Sequence, residues 1–228
     1  MTYDLTLHEK HAIFETNDGD RVLIDTGVPF TFHTANQWDF EGTAYSTKMS
    51  MGGIDVNSVS ELVGTGITTL LGGDILSKYK VGLSYQDYKV CFEPLSFQIN
   101  QAVTIPIQMY SGYMLIQVVI NGHSVLGYLD TGAKLSYISN QLKNGLTLNT
   151  DKTKDFYIGI GTYETETYTT NAYMSNGESF EGTFGVLPDQ IASRFFGGQR
   201  QAIIGSDLFF AYKTVWLDYA NNCIHLES

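Results

Sequence analysis

A short pattern that occurs twice constrains this sequence more than any other feature. The chain reads VLIDTG at Val22–Gly27 and, much later, GYLDTG at Gly127–Gly132. Each copy is followed, after a stretch of variable length, by two apolar residues, a glycine and a nearby aspartate, at 70–74 and 203–207. A repeat at this long spacing indicates that the chain consists of two related halves.

The repeat predicts two lobes of unequal size. We place the first lobe at 1–95, a linker at 96–102 and the second lobe at 103–228. The stretch between the two matched motifs is longer in the second lobe, and the additional residues fall in a region rich in Thr, Tyr and Gly around 147–200. We therefore expect the second lobe to carry an insertion that the first lobe has only in short form.

Composition favours a mostly β fold. Aromatic residues make up 13% of the chain and glycine occurs 23 times, a mixture that favours strands separated by tight turns. Polar and apolar residues alternate at 4–8 and again at 114–120, as in half-buried strands. Long stretches of helical periodicity are absent from the sequence, and we predict only short helices over 57–62 and 188–195.

The charge balance bears on partners and location. The formal charge is −11, from 24 acidic and 13 basic residues. A surface this acidic repels nucleic-acid backbones and anionic membranes, so we expect neither as a partner. No apolar run approaches the roughly 20 residues that cross a bilayer, and the N-terminal segment lacks the apolar core of a signal peptide. We expect a cytoplasmic protein, with a signal peptide already removed as the alternative.

The repeated Asp-Thr-Gly suggests a specific chemistry. An apolar strand that runs into it places a carboxylate at the strand end, and the glycine allows close backbone approach. A second copy related by a pseudo-twofold axis would bring Asp25 and Asp130 face to face, where they would share one proton. One carboxylate could then activate a water while the protonated one polarises a carbonyl, so we expect neither metal nor cofactor. The alternative is a duplicated structural domain whose Asp-Gly turns only end strands.

These motifs resemble those of retropepsin-like aspartic proteases, in a single-chain, two-lobed plan similar to the pepsins. The resemblance spans nearly the whole chain and rests on both Asp-Thr-Gly copies and on both apolar-apolar-Gly segments. It implies a mostly β fold of two homologous acid-protease β-barrel lobes related by a pseudo-twofold axis, with Asp25 and Asp130 as the catalytic pair. It also implies that the residues after each aspartate support the catalytic loops, namely Thr26, Gly27, Thr131 and Gly132.

Two positions depart from the pepsin pattern. Pepsins usually carry Ser or Thr directly after Asp-Thr-Gly, where the hydroxyl can donate to a catalytic carboxylate. This chain has Val28 and Ala133 there, and the loss of a donor to the ionised form raises a carboxylate pKa. We therefore predict a pH optimum that is weakly acidic to neutral.

Two segments of the sequence are candidates for the hairpin that would cover a substrate cleft. The first lobe offers a short candidate at 45–56 that turns at Gly52 and Gly53. The second lobe offers a larger one at 155–174, whose arms are 155–161 and 165–174, with further candidate residues Gly159 and Gly161 as flexible points and Tyr163 near the tip. The alternative for the second segment is a hairpin packed on the outside of its lobe. Which lobe supplies the working flap stays open.

The cysteines and histidines have simpler interpretations. Two cysteines are too few for a disulfide framework. Cys91 and Cys223 occupy equivalent final strands of the two lobes, so both a contact between them and two buried thiols are compatible with the sequence. His8 and His11 lie in a strand-like segment without the helical spacing of a metalloprotease, which predicts a surface strand.

The function that the sequence favours is an aspartic endopeptidase acting on a peptide or protein. Both aspartates lie on one chain, so we expect a monomer. Two alternatives remain, a catalytically silent peptide-binding protein of the same fold and a processing protease with a single target.

Overall fold

The computed structural model describes residues 1–158 and 160–228. Residues 1–95 are called the first half here, and residues 103–228 the second half. The first half contains these elements: β1 (Thr2–His8), β2 (His11–Glu15), β3 (Arg21–Ile24), β4 (Phe32–His33), β5 (Gln37–Phe40), β6 (Thr43–Ser46), α1 (Val56–Val63), β7 (Thr69–Leu71), α2 (Gly73–Leu76), β8 (Lys80–Ser84) and β9 (Lys89–Glu93).

The second half is also dominated by strands. Its elements are β10 (Val103–Tyr110), β11 (Tyr113–Ile120), β12 (His123–Leu129), β13 (Ser136–Ile138), β14 (Thr153–Tyr157), β15 (Gly161–Thr165), β16 (Thr167–Met174), β17 (Ser179–Val186), α3 (Asp189–Phe195), β18 (Arg200–Ile204), α4 (Asp207–Ala211), β19 (Thr214–Asp218) and β20 (Cys223–Glu227). The predicted mostly β fold is confirmed.

One extended sheet joins the two halves. Within the described residues its strand order is β12-β18-β13-β17-β16-β11-β10-β20-β19-β8-β9-β1-β2-β3-β7-β4. The halves meet where β19 pairs antiparallel with β8, which places Trp216 opposite Gly82. Cys91 on β9 and Cys223 on β20 are free thiols, and β8 and β19 lie between their strands. The contact between the two thiols is therefore not formed, and of the two buried thiols in the other alternative only Cys223 is buried, whereas Cys91 is half-buried.

The two Asp-Thr-Gly segments have matching surroundings. Each follows a strand, β3 or β12, that pairs in parallel with a later strand of the same half, β7 or β18. The Asp25 amide donates to the Leu71 carbonyl over 3.0 Å, and the Asp130 amide donates to the Ile204 carbonyl over 2.9 Å. Parallel pairing requires a crossover connection, and these crossovers carry α1 and α3. Each aspartate therefore lies at the end of a strand that has a hydrogen-bonded neighbour on both sides.

Helices α1 and α3 lie close to their predicted ranges. Helix α1 begins after Asp55, whose side chain accepts a 2.8 Å hydrogen bond from the Ser58 amide, and ends at Gly64 in the left-handed region. Its buried residues Val56, Val59 and Val63 follow helical spacing, so one face packs inward. In the described ranges no helix has the length and apolar character needed to cross a membrane.

Two tight turns fasten each half to the other. The β1–β2 turn of the first half extends into the second half, where Glu9 pairs with Lys134 over 3.2 Å and Lys10 pairs with Asp207 over 2.8 Å. The β10–β11 turn of the second half packs in the opposite direction, with Gly112 against Pro29. These reciprocal contacts restrict relative movement of the halves around the two Asp-Thr-Gly loops.

Three apolar clusters surround those loops. The largest contains core residues of both halves, among them Phe14, Leu83 and Leu217. A smaller cluster in the first half is formed by Ile13, Leu23, Phe32, Val56, Val59, Val63, Ile67 and Leu70. A smaller cluster in the second half is formed by Leu115, Tyr128, Leu135, Tyr137, Leu187, Ile191 and Ile203. We call these the first-half cluster and the second-half cluster, and members of both line one cavity between them.

Candidate active site

The structure brings Asp25 and Asp130 together at the base of this cavity. Each loop lies against the carboxylate of the other. A Cβ atom added to Gly27 would lie 2.5 Å from Cγ of Asp130, and one added to Gly132 would lie 2.5 Å from Cγ of Asp25. Glycine is therefore required at both positions, because a side chain would displace the opposite carboxylate.

Backbone amides orient both carboxylates. The Gly27 amide donates to Oδ1 of Asp25 over 2.8 Å, and the Gly132 amide donates to Oδ1 of Asp130 over 2.9 Å. Each carboxylate is thus fixed by one amide of its own loop and keeps acceptor capacity for a ligand. The two carboxyl groups are close enough to hydrogen-bond to each other.

The threonines of the two loops interlock beneath the carboxylates. The amides of Thr26 and Thr131 each donate over 3.0 Å to the hydroxyl of the other threonine. The Thr26 hydroxyl donates to the Leu129 carbonyl over 2.7 Å, and the Thr131 hydroxyl donates to the Ile24 carbonyl over 2.9 Å. Both threonines are buried, so the network fixes the separation of the loops without competition from water.

Burial and mutual repulsion set the protonation of the pair. Burial raises the pKa of Asp25 well above its ordinary value, and the nearby charge of Asp130 raises it further. Burial also raises the pKa of Asp130. The Gly27 and Gly132 amides oppose these shifts but do not cancel them. The pair therefore retains a proton at a higher pH than isolated aspartates would.

The cavity has a volume of about 210 Å³ and is enclosed mainly by apolar side chains. Its walls come from the first-half and second-half clusters. Besides the two aspartates, the side chains with polar atoms that line it are His11, Tyr113, Tyr137, Asp155, Tyr157 and Tyr163. Such an arrangement, a mostly apolar pocket with a few convergent polar groups of shifted pKa, is typical of a binding or catalytic site.

A hairpin of the second half closes one side of the cavity. Strands β14 and β15 pair with each other as a separate two-stranded sheet. The side chains of Phe156 and Ile158 project from this hairpin and pack on the first-half cluster. The Phe156 ring stacks on the His11 ring with a centroid separation of 5.6 Å. We call residues 153–165 the cover hairpin, because it extends from one half across the cavity to the other.

The cover hairpin differs from the predicted one. Residues 167–174 are not its second arm, because they form β16 and pair with β17 and β11 in the main sheet. Tyr163 is not near the tip but lies within β15, opposite Asp155, and lines the cavity. Gly161 begins β15 with a φ of 98°, and Gly159 lies outside the described residues. The hairpin lines the cavity rather than the outside of its half.

The first-half candidate at 45–56 is not a single hairpin. Tyr45 lies in β6 and pairs with Trp38 of β5, across a turn at 41–42. Gly52 and Gly53 form a separate exposed turn, closed by hydrogen bonds between Met51 and Ile54. The sequence interpretation merged two short turns into one. Met51 and Ile54 nevertheless line the cavity, so this turn faces the same space as the cover hairpin.

Sequence reasoning missed two residues of the cavity wall. The surface strand predicted for His11 is wrong, since its ring is only 2% exposed and its Nδ1 donates to the His8 carbonyl over 3.0 Å. Burial lowers the pKa of His11, which favours the neutral ring. Asp155 was assigned only to a hairpin arm, yet it is a third buried carboxylate in the cavity. No local pattern in the sequence distinguishes either residue from a surface one.

We expect Phe156→Ala to loosen the cover hairpin. Truncating this partly buried ring removes packing worth about 1.5 kcal/mol or more, so the open form should become roughly ten times more populated. Limited trypsin cleavage after the exposed Lys154 would measure this. Thr162→Ala, at the exposed position paired with Phe156, is the matched control and should leave the cleavage rate unchanged. Equal rates in both variants would show that Phe156 does not hold the hairpin down.

Fold and site together define a mostly β protein with a paired-carboxylate cavity. No protein-family model matches the chain, and no curated protein matches it. Among solved structures, the chain is similar to a retropepsin-like aspartic protease from Rickettsia conorii. The identity is 15%, the similarity covers 57% of this chain and 96% of that chain, and the TM-score is 0.37. A similarity this remote transfers no residue role to the present chain.

Proposed function

We propose that this chain is an aspartic endopeptidase with Asp25 and Asp130 as its catalytic residues. The observation that carries the proposal is the pair of facing carboxylates, each fixed by a loop amide and both enclosed in one cavity. Structural carboxylates are usually paired with a cation or fully hydrogen-bonded. Two that repel each other at the base of a cavity are instead typical of an acid–base pair.

The chemistry follows from one shared proton. The ionised carboxylate removes a proton from a bound water, and the water oxygen attacks the carbonyl carbon of the peptide bond. The protonated carboxyl group donates its proton to the carbonyl oxygen, which gives a tetrahedral diol. Collapse of the diol breaks the C–N bond, while the carboxyl group that received the water proton transfers it to the amine and the other carboxylate takes back a proton from a diol hydroxyl. No covalent enzyme intermediate forms, and the pair returns to its starting protonation.

The supporting residues have distinct roles in this proposal. Thr26 and Thr131 hold the loops at a fixed separation, and Gly27 and Gly132 both orient and make room for the carboxylates. The matching contacts of the two Asp-Thr-Gly segments support a division into two related lobes, 1–95 and 103–228, joined at 96–102. Because one chain provides both carboxylates, the proposed active unit is the monomer.

An extended peptide would enter between the halves. The cover hairpin and the turn at Gly52 and Gly53 lie on the sides of the cavity that such a peptide would pass. Because Phe156 crosses the cavity to His11, the hairpin must move for a peptide to enter. We propose the cover hairpin as the main flap and the 51–54 turn as a smaller second cover.

Cleavage of a mixed peptide library and of a denatured proteome, mapped by mass spectrometry between about pH 3 and pH 8, tests the proposal. We expect cut sites with the wild type and none with the double variant Asp25→Asn/Asp130→Asn. The rate should be highest at weakly acidic to neutral pH, because the pair keeps its shared proton there. Silence toward both substrate sets would contradict an endopeptidase of broad specificity and leave a peptide-binding protein or a single-target protease, and an optimum near pH 2 would contradict the protonation argument.

A further inference from the structure

Asp155 is a buried carboxylate that the proposed mechanism does not use. It lies on the cover hairpin, is 6% exposed and lines the same cavity as the catalytic pair. Its Oδ1 accepts a 2.8 Å hydrogen bond from the Phe156 amide, and its Oδ2 accepts one from the Tyr137 hydroxyl. The Tyr163 hydroxyl donates in turn to that of Tyr137 over 2.9 Å. Each carboxylate oxygen therefore has one donor and can accept another.

In the described part of the chain, no lysine, arginine or histidine forms an ion pair with Asp155, although the more distant Lys134 and His11 partly offset the effect of burial on its pKa. Among the described residues that line the cavity there is no lysine or arginine. The nearby Lys134 is paired with Glu9 over 3.2 Å, and burial keeps His11 in its neutral form at neutral pH. Burial raises the pKa of Asp155, as expected for a carboxylate that lacks a counterion. Together with the catalytic pair, Asp155 makes the cavity strongly unfavourable for anions.

The structural role of Asp155 does not require that charge. The hydrogen bond from Tyr137 ties the cover hairpin to β13, and the Phe156 amide bond is local to the hairpin. An asparagine side chain of similar volume could accept the hydrogen bond from the Phe156 amide through its oxygen and donate from its NH2 group to the Tyr137 hydroxyl oxygen. Burying an ionised carboxylate without a cationic partner is much less favourable than burying an amide. A ligand cation would recover this cost.

We propose that Asp155, with Tyr137 and Tyr163, forms a subsite that selects a basic side chain, lysine or arginine, of the peptide substrate. The inference rests on the proposed peptidase function and specifies its substrate class. The ammonium or guanidinium group donates to the free acceptor sites of Asp155, and its alkyl stem lies along the apolar wall of the cavity. An acidic side chain is excluded from this subsite by repulsion from Asp155 and from the catalytic pair.

The test uses peptides built on a cleaved sequence, or on a library sequence that Asp25→Asn binds if nothing is cleaved, in which each central position carries lysine, norleucine or glutamate in turn. Norleucine keeps the alkyl stem of lysine and lacks its charge. A charge-assisted hydrogen bond is worth about 1.5–3 kcal/mol, so at one position the wild type should prefer lysine to norleucine in kcat/KM by at least about tenfold. The ratio should fall to within about threefold in Asp155→Asn.

Tyr137→Phe distinguishes the effect of the Asp155 charge from the effect of the hydrogen bond that joins the cover hairpin to β13. It removes the hydroxyl that donates to Asp155 and keeps the carboxylate, so the preference for lysine should stay well above that of Asp155→Asn even where the overall rate changes. An unchanged lysine preference in Asp155→Asn would overturn the proposal, as would a wild type that cleaves the peptides without preferring lysine anywhere.

A binding measurement separates this inference from the peptidase proposal. Asp25→Asn keeps Asp155 and is expected not to cleave, so its Kd for the lysine and norleucine peptides can be measured directly. Tighter binding of the lysine peptide that is lost in Asp25→Asn/Asp155→Asn supports the subsite, even if the wild type cleaves nothing and the peptidase proposal fails. Equal affinities for both peptides would overturn the subsite, even if the wild type is an active peptidase.

Discussion

Asp25→Asn is expected to abolish cleavage and, at neutral pH, to make the protein more stable. The loss of activity follows because the variant has no second carboxylate to hold or receive the proton, and acid–base catalysis of this kind contributes about 10²–10⁴-fold for each group. The gain in stability follows because Asp25, whose pKa is raised in the folded protein, must take up a proton or bury a charge on folding at this pH, and an amide does neither. Most active-site substitutions that abolish activity do not predict a gain of stability, so the combination is diagnostic.

The sign of the effect follows from the pKa shifts. Burial and the charge of Asp130 raise the pKa of Asp25 in the folded protein, and burial raises that of Asp130. Between the unfolded and folded pKa values the folded state binds more protons than the unfolded state, so the free energy of unfolding falls as pH rises through this range. Each unit of pKa elevation costs about 1.4 kcal/mol once the pH is above both values. The cost is absent at a pH where both states are protonated.

Thermal unfolding at two pH values measures the effect. At about pH 7 the Tm of Asp25→Asn should exceed that of the wild type by about 3–6 °C, given 2–4 °C per kcal/mol for a chain of this size. At about pH 3 the two proteins should unfold at the same temperature, because the carboxylates are then protonated. Asp87→Asn, at an exposed position, is the control for removing one negative charge. An equal gain at both pH values, or in the control, would contradict a charged buried pair.

The paired loops were predictable from sequence because their information is local and occurs twice. An apolar strand, Asp-Thr-Gly and a later apolar-apolar-Gly segment specify a strand end, a close backbone approach and a parallel neighbour. The short helices α2 and α4 were not predicted, since four or five residues cannot display helical periodicity.

The cover hairpin could not be assigned correctly for a different reason. Segments 161–165 and 167–174 both have strand-like sequences, and the choice of partner depends on which neighbouring strand is free. In the structure, β16 is taken by β17 and β11, which leaves β14 and β15 to pair with each other. The burial of His11 is equally non-local, because the ring that covers it, Phe156, comes from the opposite half.

Thr26→Val is expected to destabilise the protein by loosening both Asp-Thr-Gly loops together. Valine has the shape of threonine without the hydroxyl, so the buried Thr131 amide and Leu129 carbonyl lose their partner. An unsatisfied buried group costs about 1–3 kcal/mol, and two such groups should lower the Tm by roughly 5–15 °C for a chain of this size. Thr26→Ser retains the hydroxyl and should keep most of the stability.

Combining the substitutions tests whether the threonines act as one network. Thr131→Val leaves two other groups without a hydrogen-bond partner, the Thr26 amide and the Ile24 carbonyl. If the bonds were independent, the losses of stability in the two variants would add. Once one hydroxyl is removed, however, the loops separate and the remaining bonds lengthen. The double variant should therefore lose less stability than the sum of the single variants, as expected for groups in one hydrogen-bond network. Strict additivity, or equal losses in Thr26→Ser and Thr26→Val, would show that the hydroxyls do not lock the two loops to each other.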